Sequence, residues 1–301
     1  MKIALTGASG MIGGHLIPLL KSDGHTTMRL VRHSENSGQD TIQWDIEKKK
    51  LNPADLEGVD AIIHLAGENI AAKRWMATVK EKIKSSRVGG TSLLAETIAR
   101  MERKPAVFIS VSAIGYYGDR GDDPLTEQSP PGKGFLSEVC QAWESEADPA
   151  KQHGVRVVHP RIGIILTKKG GALKKMLPPF KAGIGGKLGD GCQYMSWIAF
   201  DDLLDIFRFV LADKTLDGPI NAVSPNPVTN ERFTKVLAKI LHRPSALTVP
   251  KFALKALLGS EMAQELLLAS AKVSPEKLRN AGFTFRYSSL EEALAKALES
   301  D

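Results

Sequence analysis

Two groups of residues in this 301-residue chain have the types and spacing to do chemistry. The first is Thr6-Gly7-Ala8-Ser9-Gly10-Met11-Ile12-Gly13, three glycines spaced three apart, directly after the short run Lys2-Ile3-Ala4-Leu5. Positions without side chains let backbone amides and a helix N-terminus close on a diphosphate, with Gly7 making the turn, Gly10 the close approach and Gly13 the contact of helix with sheet. A glycine loop without a ligand is the plainer reading. The strand before it and the helix after it favour the dinucleotide. The second group is Ser112, at the end of the run Ala106-Val107-Phe108-Ile109-Ser110-Val111, with Tyr116 and Tyr117 a few residues on. Hydroxyls at the carboxyl end of a parallel strand are where this architecture puts an active site; tyrosines that merely pack the loop against a cofactor are the alternative.

Such groups need a parallel α/β frame to position them. Met11, Ile12, Leu16, Leu19 and Leu20 form a helical stripe that ends near Asp23-Gly24, and residues 26–32 read as a second strand, which completes a β-α-β unit. Where an acidic residue would meet a free ribose hydroxyl, the chain offers Val31-Arg32-His33, and a guanidinium there pairs with the extra phosphate of NADP. A solvated arginine at a strand end is the other use of Arg32. Further strands are expected over 41–45 and 59–67, with Asp45 in reach of an adenine and the small residues ending in Gly67 allowing a cofactor to pass close. His64, on an apolar strand, reads as a core residue. A long helix is expected over 78–101, and the Ser112 strand follows it.

Residues 121–134 read as a surface loop, followed by a helix through Val139, Cys140, Trp143 and Ala147. A sixth strand over 155–166 is expected to end or bulge at Pro160. Residues 168–197 are dense in glycine and read as a flexible lid or substrate wall. A helix over 200–212, a strand over 219–223, a helix over 230–242 and a mostly helical remainder complete the pattern. The expected fold class is α/β, a Rossmann-type doubly wound parallel sheet over 1–166 to which 200–228 returns. The smaller, mostly helical remainder, 167–199 and 229–301, would lie on the substrate side.

A hydrophobic share of 43% with 25% charged residues is ordinary for a globular chain. No apolar run approaches the roughly 18–20 residues of a membrane span, and the first one breaks at Gly7, short of a secretory signal, so a cytoplasmic protein without a membrane partner is expected. Cys140 and Cys192 lack any disulfide or metal-ligand spacing, so free thiols and no metal are expected. The net charge of +6 suits an anionic ligand, but the basic residues are dispersed, which argues against nucleic acid. A homodimer is left open.

Together with His64-Leu65-Ala66-Gly67, Arg161-Ile162-Gly163, Trp197-Ile198 and Asp201-Asp202-Leu203, these motifs resemble an extended short-chain dehydrogenase/reductase of the NAD(P)-dependent epimerase/dehydratase type. Gly67-Glu68-Asn69-Ile70, Arg74-Trp75, residues 132–144 and Asn221-Ala222-Val223-Ser224-Pro225 are similar to a subgroup called epimerase family proteins, whose closing segment of unknown function is matched by 249–298. The resemblance covers nearly the whole chain. It implies NADP contacts at the Gly7 loop, at Val31 and Arg32, at Leu65 and Ala66, at Lys82 and Arg87, and from Arg161 through Ile162 and Gly163 to Ile164. It also exposes a departure. The wider family carries a Tyr-x-x-x-Lys pair on the helix after the serine, whereas this chain places Leu136 and Cys140 at those two positions. Neither side chain replaces a phenolate held by an ammonium. Two functions therefore stand as expectations: an NADP(H)-dependent oxidoreductase or epimerase acting on a small hydroxyl, carbonyl or sugar-nucleotide substrate through Ser112 and Tyr116 or Tyr117, and a non-catalytic NADP(H) sensor.

Overall fold

The computed structural model describes residues 1–32, 38 and 40–299. The chain forms two compact units, Met1–Ser112 with Val139–Pro160 and Phe207–Pro219, and Ala113–Glu138 with Arg161–Ile206 and Ile220–Asp301. The division differs from the one expected near residue 166, because 113–138 and 161–166 belong to the second unit.

The main sheet has the strand order Gly218–Ala222, Arg156–Ile162, Val107–Ser110, Ala61–His64, Lys2–Thr6, Thr26–Val31 and Thr41–Gln43. Neighbours from Arg156–Ile162 to Thr41–Gln43 pair in parallel. The strands Ala61–His64 and Val107–Ser110 are buried at every residue, as central strands of a parallel sheet covered on both faces must be. On one face, Ala4, Ile62 and Phe108 pack with Leu93, Leu94 and Ile98 of the long helix Ala77–Arg100. Alternation along a strand puts Thr6, His64 and Ser110 on that same face two residues further on, and the register aligns Thr6 with His64 and His64 with Ser110. A polar row thus closes an apolar column at the carboxyl ends of the strands.

In the second unit, the helices Gly171–Lys181, Asn230–Ile240 and Leu290–Glu299 bury their apolar stripes around Trp197. One expectation is corrected here. The break in the strand over 155–166 falls at Gly163, not at Pro160, which lies inside the strand Arg156–Ile162. The ladder with Val107–Ser110 has already ended at Val158, and at Gly163 the chain passes from the Ala222 carbonyl to that of Ser196. The glycine-dense stretch, read from sequence as a flexible lid or substrate wall, has regular structure of its own. It holds the helix Gly171–Lys181 and short strands, and its glycines serve close packing: a Cβ on Gly185 would lie 2.5 Å from the Phe180 ring.

Candidate functional site

The first unit builds a cradle at the carboxyl end of its sheet. Gly7 turns at φ +66°, and a Cβ there would lie 2.9 Å from the Leu65 carbonyl carbon, so only glycine lets the two turns meet. The Gly10 amide closes the turn on the Gly7 carbonyl at 2.9 Å. The helix Met11–Ser22 then starts from Gly10 with no side-chain cap. A Cβ on Gly13 would lie 2.4 Å from the Gly7 carbonyl oxygen. Ser9 and Gly10 are exposed and Met11 and Ile12 half-buried, so the positive end of the helix opens outward. Across from it, the Thr6 hydroxyl oxygen accepts the amides of Leu65 at 3.0 Å and Ala66 at 3.1 Å.

Arg87 secures the far side of this turn. Its guanidinium donates to the carbonyls of Glu68 at 3.0 Å and Ile83 at 3.1 Å, lies against Gly67 and sits 5.0 Å over the Trp143 ring. Burial holds it below the usual arginine range, and it is engaged with the protein's own carbonyls. Lys82, earlier on the same helix, is exposed. Arg32 is also exposed, just past the Thr26–Val31 strand, and makes no ion pair among the described residues; Val31 is half-buried and His33 lies outside the described residues. The Asp45 carboxylate accepts the Lys48 amide, and its backbone exchanges hydrogen bonds with that of Lys50.

Buried polar atoms without a hydrogen-bond partner among the described residues include the hydroxyls of Ser110 and Ser112 and Nε2 of His64. An unpaired buried hydroxyl costs free energy unless something completes it, so the Ser112 hydroxyl is placed as a group awaiting a partner. The close-set glycines, the uncapped helix amides and these hydroxyls fit a dinucleotide: Gly7, Gly10, Met11, Ile12 and Gly13 would hold its diphosphate.

In the second unit, the tyrosines take different roles. Tyr117 is fully buried; Arg161 donates to its oxygen at 3.0 Å, and it donates to Oδ1 of Asn221 at 2.7 Å. Burial pushes its hydroxyl up to about 12. Tyr116 is half-buried, with the Arg161 guanidinium 3.4 Å above its ring. Arg161 is buried, while Ile162, Gly163 and Ile164 after it are half-buried. Glu127, also buried, accepts the Asn221 amide at 3.0 Å and the Lys277 amide at 3.3 Å. Tyr117→Phe is expected to lower stability by about 1–2 kcal/mol, since Arg161 loses an acceptor and Asn221 a donor in a dry network; chemical denaturation measures it.

The departure at Leu136 has a structural counterpart. Both oxygens of Glu265 are used there, one on the Phe135 amide and one on the Leu136 amide, each at 2.8 Å. The first turn of the helix Phe135–Ala147 is therefore capped by a carboxylate from the C-terminal segment. Cys140 is buried and Cys192 exposed, and neither forms a disulfide. The contacts that Asn221, Glu127 and Glu265 make here are not legible in the sequence. Separations of 104, 94 and 130 residues leave no local signal.

A parallel sheet whose first strand turns through glycine into an uncapped helix, with hydroxyls at its central strand ends, defines a Rossmann-type dinucleotide-binding protein. The chain belongs to the NAD dependent epimerase/dehydratase family, whose model matches residues 3–222, and a domain of unknown function (DUF1731) matches 249–297. Epimerase family protein Mb2239 of Mycobacterium bovis is 38% identical over 98% of this chain and 97% of its own, and YfhF of Bacillus subtilis 35% over 99% and 98%. The structure of human epimerase family protein SDR39U1 (isoform 2) with NADPH matches with a TM-score of 0.90 and 31% identity, covering all of both chains. That of a nucleoside-diphosphate sugar epimerase from Corynebacterium glutamicum gives 0.80 and 39%, over 99% of this chain and 58% of the other. The subgroup resemblance and the fold class read from sequence are both borne out. No described helix is long and apolar enough to cross a membrane.

Proposed function

We propose that the chain binds NADP(H) and acts on a small hydroxyl- or carbonyl-bearing substrate, a sugar nucleotide included, by oxidoreduction or epimerisation. The observation that carries this reading is the buried, unpartnered Ser112 hydroxyl, two residues past the central strand Val107–Ser110, in a unit that also holds the glycine cradle. The bound nicotinamide supplies or accepts the hydride. Ser112 donates a hydrogen bond to the reacting oxygen and polarises it. Tyr116, four residues on in the chain, gives or takes the proton, while Tyr117 is reserved for holding Arg161. The choice of NADP rests on Arg32, whose exposed guanidinium pairs with a 2′-phosphate, and on NADPH in the solved human relative.

The test is turnover. Purified protein is mixed with NADPH and a panel of carbonyl compounds and sugar nucleotides, followed by nicotinamide absorbance and, for redox-neutral epimerisation, by NMR. Ser112→Ala is expected to lower kcat on the accepted substrate about 100-fold. Arg32→Asp is expected to weaken NADPH by at least about tenfold and leave NADH nearly as it was, because it exchanges a charge-assisted phosphate contact for repulsion. Equal effects on the two nucleotides remove the NADP assignment.

A second reading, a protein that binds NADP(H) without turning over, is favoured by Leu136 and Cys140 and by the commitment of Tyr117 to Asn221. NADPH binding with no turnover across the panel, unchanged by Ser112→Ala, selects it.

A further inference from the structure

Thr6, His64 and Ser110 are fully buried on a face that is otherwise apolar, so their presence there calls for a use. Three groups surround the Thr6 hydroxyl oxygen: the amides of Leu65 at 3.0 Å and Ala66 at 3.1 Å, and Nδ1 of His64 at 2.6 Å. A hydroxyl has two lone pairs and one proton. The amides can only donate, so they take both lone pairs and the Thr6 proton goes to His64. Nδ1 is therefore the bare nitrogen, and Nε2 carries the ring hydrogen. The ring is wedged in place, its Cε1 3.3 Å from where a Cβ on Gly90 would stand and its face edge-on to Trp44 at 6.1 Å. Burial and the Arg87 charge pull His64 down to about 3, which keeps the ring neutral. Arg87 is the residue of the covering helix whose charge acts on the ring, and the flanking strands contribute the uncharged Thr6 and Ser110.

We infer that His64 is a positioning residue: as the neutral Nε2–H tautomer it accepts the Thr6 proton and commits both Thr6 lone pairs to the Leu65 and Ala66 amides, fixing the turn that abuts Gly7. This rests on reading that turn as part of the nucleotide site. Without an acceptor at Nδ1, the Thr6 hydroxyl rotates to seek one and an amide loses its partner. The Leu65–Ala66 turn then shifts against Gly7, where a single Cβ would already be too much.

Two measurements on the full chain test this. Ring nitrogen NMR is expected to show His64 with a bare Nδ1 and a protonated Nε2, unchanged between about pH 4.5 and 8; a protonated Nδ1, or titration near the ordinary histidine value, overturns the assignment. Calorimetry with NADPH is expected to show His64→Leu weaker by about five- to tenfold. His64→Asn, whose Oδ1 stands near the place of Nδ1, recovers most of that loss. Thr6→Val combined with His64→Leu is no weaker than Thr6→Val alone, because the two side chains act as one unit. A folded His64→Leu variant that binds NADPH as tightly as the natural chain overturns the positioning role and leaves the nucleotide reading intact. Failure of the natural chain to bind NADPH overturns both, whatever the tautomer.

Discussion

Replacing Gly13 by alanine is expected to abolish measurable NADP(H) binding and to lower stability by about 1–3 kcal/mol, although alanine is the better helix former. The added methyl would stand 2.4 Å from the Gly7 carbonyl oxygen and 2.9 Å from the Ala8 Cα, both backbone atoms of the loop that the helix Met11–Ser22 rests on. Neither can turn aside as a side chain would. Helix and loop must separate, and the bond from the Gly10 amide to the Gly7 carbonyl opens with them. The gain in helix propensity, about 1 kcal/mol, has the opposite sign and is too small to offset this. Gly14 supplies the control, since its Cβ would meet only the Ala8 carbonyl oxygen at an ordinary 3.8 Å. Gly14→Ala is therefore expected to stabilise by about 0.5–1 kcal/mol. Denaturation and NADPH calorimetry on the two variants decide the point; a Gly13→Ala chain that binds like the natural one removes the cradle as the nucleotide site.

What could be read from sequence follows the range of the forces involved. The strand, glycine turn and helix at the start are local, and so are the helices Ala77–Arg100 and Phe200–Ala212, each written in the spacing of its own apolar residues. Pro160 stays inside its strand, and the glycines of 168–197 have partners that no local pattern names, because in both cases the outcome depends on neighbours far along the chain. Where the ladder beside Pro160 stops, and which ring Gly185 must clear, are facts of packing. In the candidate site the same division holds. The glycine loop and Ser112 are legible; the commitment of Tyr117 to Asn221 and the burial of Arg161 are not.

The C-terminal segment illustrates how much of a site lies beyond local pattern. Its Lys272–Val273 strand pairs with Pro124–Leu125, Ser270 gives its amide to Asp119, Ser274 receives Asn221, and Glu265 holds the start of the helix that follows Gly134. Residues 116–137, which carry both tyrosines and the position of the missing base, are thus stapled at several points by a segment more than a hundred residues away. Read alone, that segment shows only helical periodicity and one aromatic cluster. Apart from the Glu265 carboxylate, the segment makes these contacts through backbone amides and carbonyls, which every residue has and no motif records.

Acid is expected to unfold this protein through His64 more steeply than its carboxylates alone would allow. In the folded chain the ring stays neutral down to about pH 3, against 6.5 when it is free in the unfolded chain. Below 6.5 the unfolded state therefore takes up a proton that the folded state refuses, so the stability that is fully present above that pH is lost as pH falls. Each pH unit removes about 1.4 kcal/mol once the free ring is protonated. Lowering the pH to about 4.5 should cost about 2–3 kcal/mol from this residue alone, a large part of the margin of an ordinary domain. Urea unfolding of the natural chain and of His64→Asn isolates the effect: the variant begins from its own stability at neutral pH, but its decline toward acid is shallower by that amount. The difference in slope, not in level, is the readout, since the carboxylates contribute equally to both. Parallel slopes would mean that His64 takes up its proton in the folded chain, and Thr6 could then not accept both the Leu65 and the Ala66 amide while giving its own proton to Nδ1.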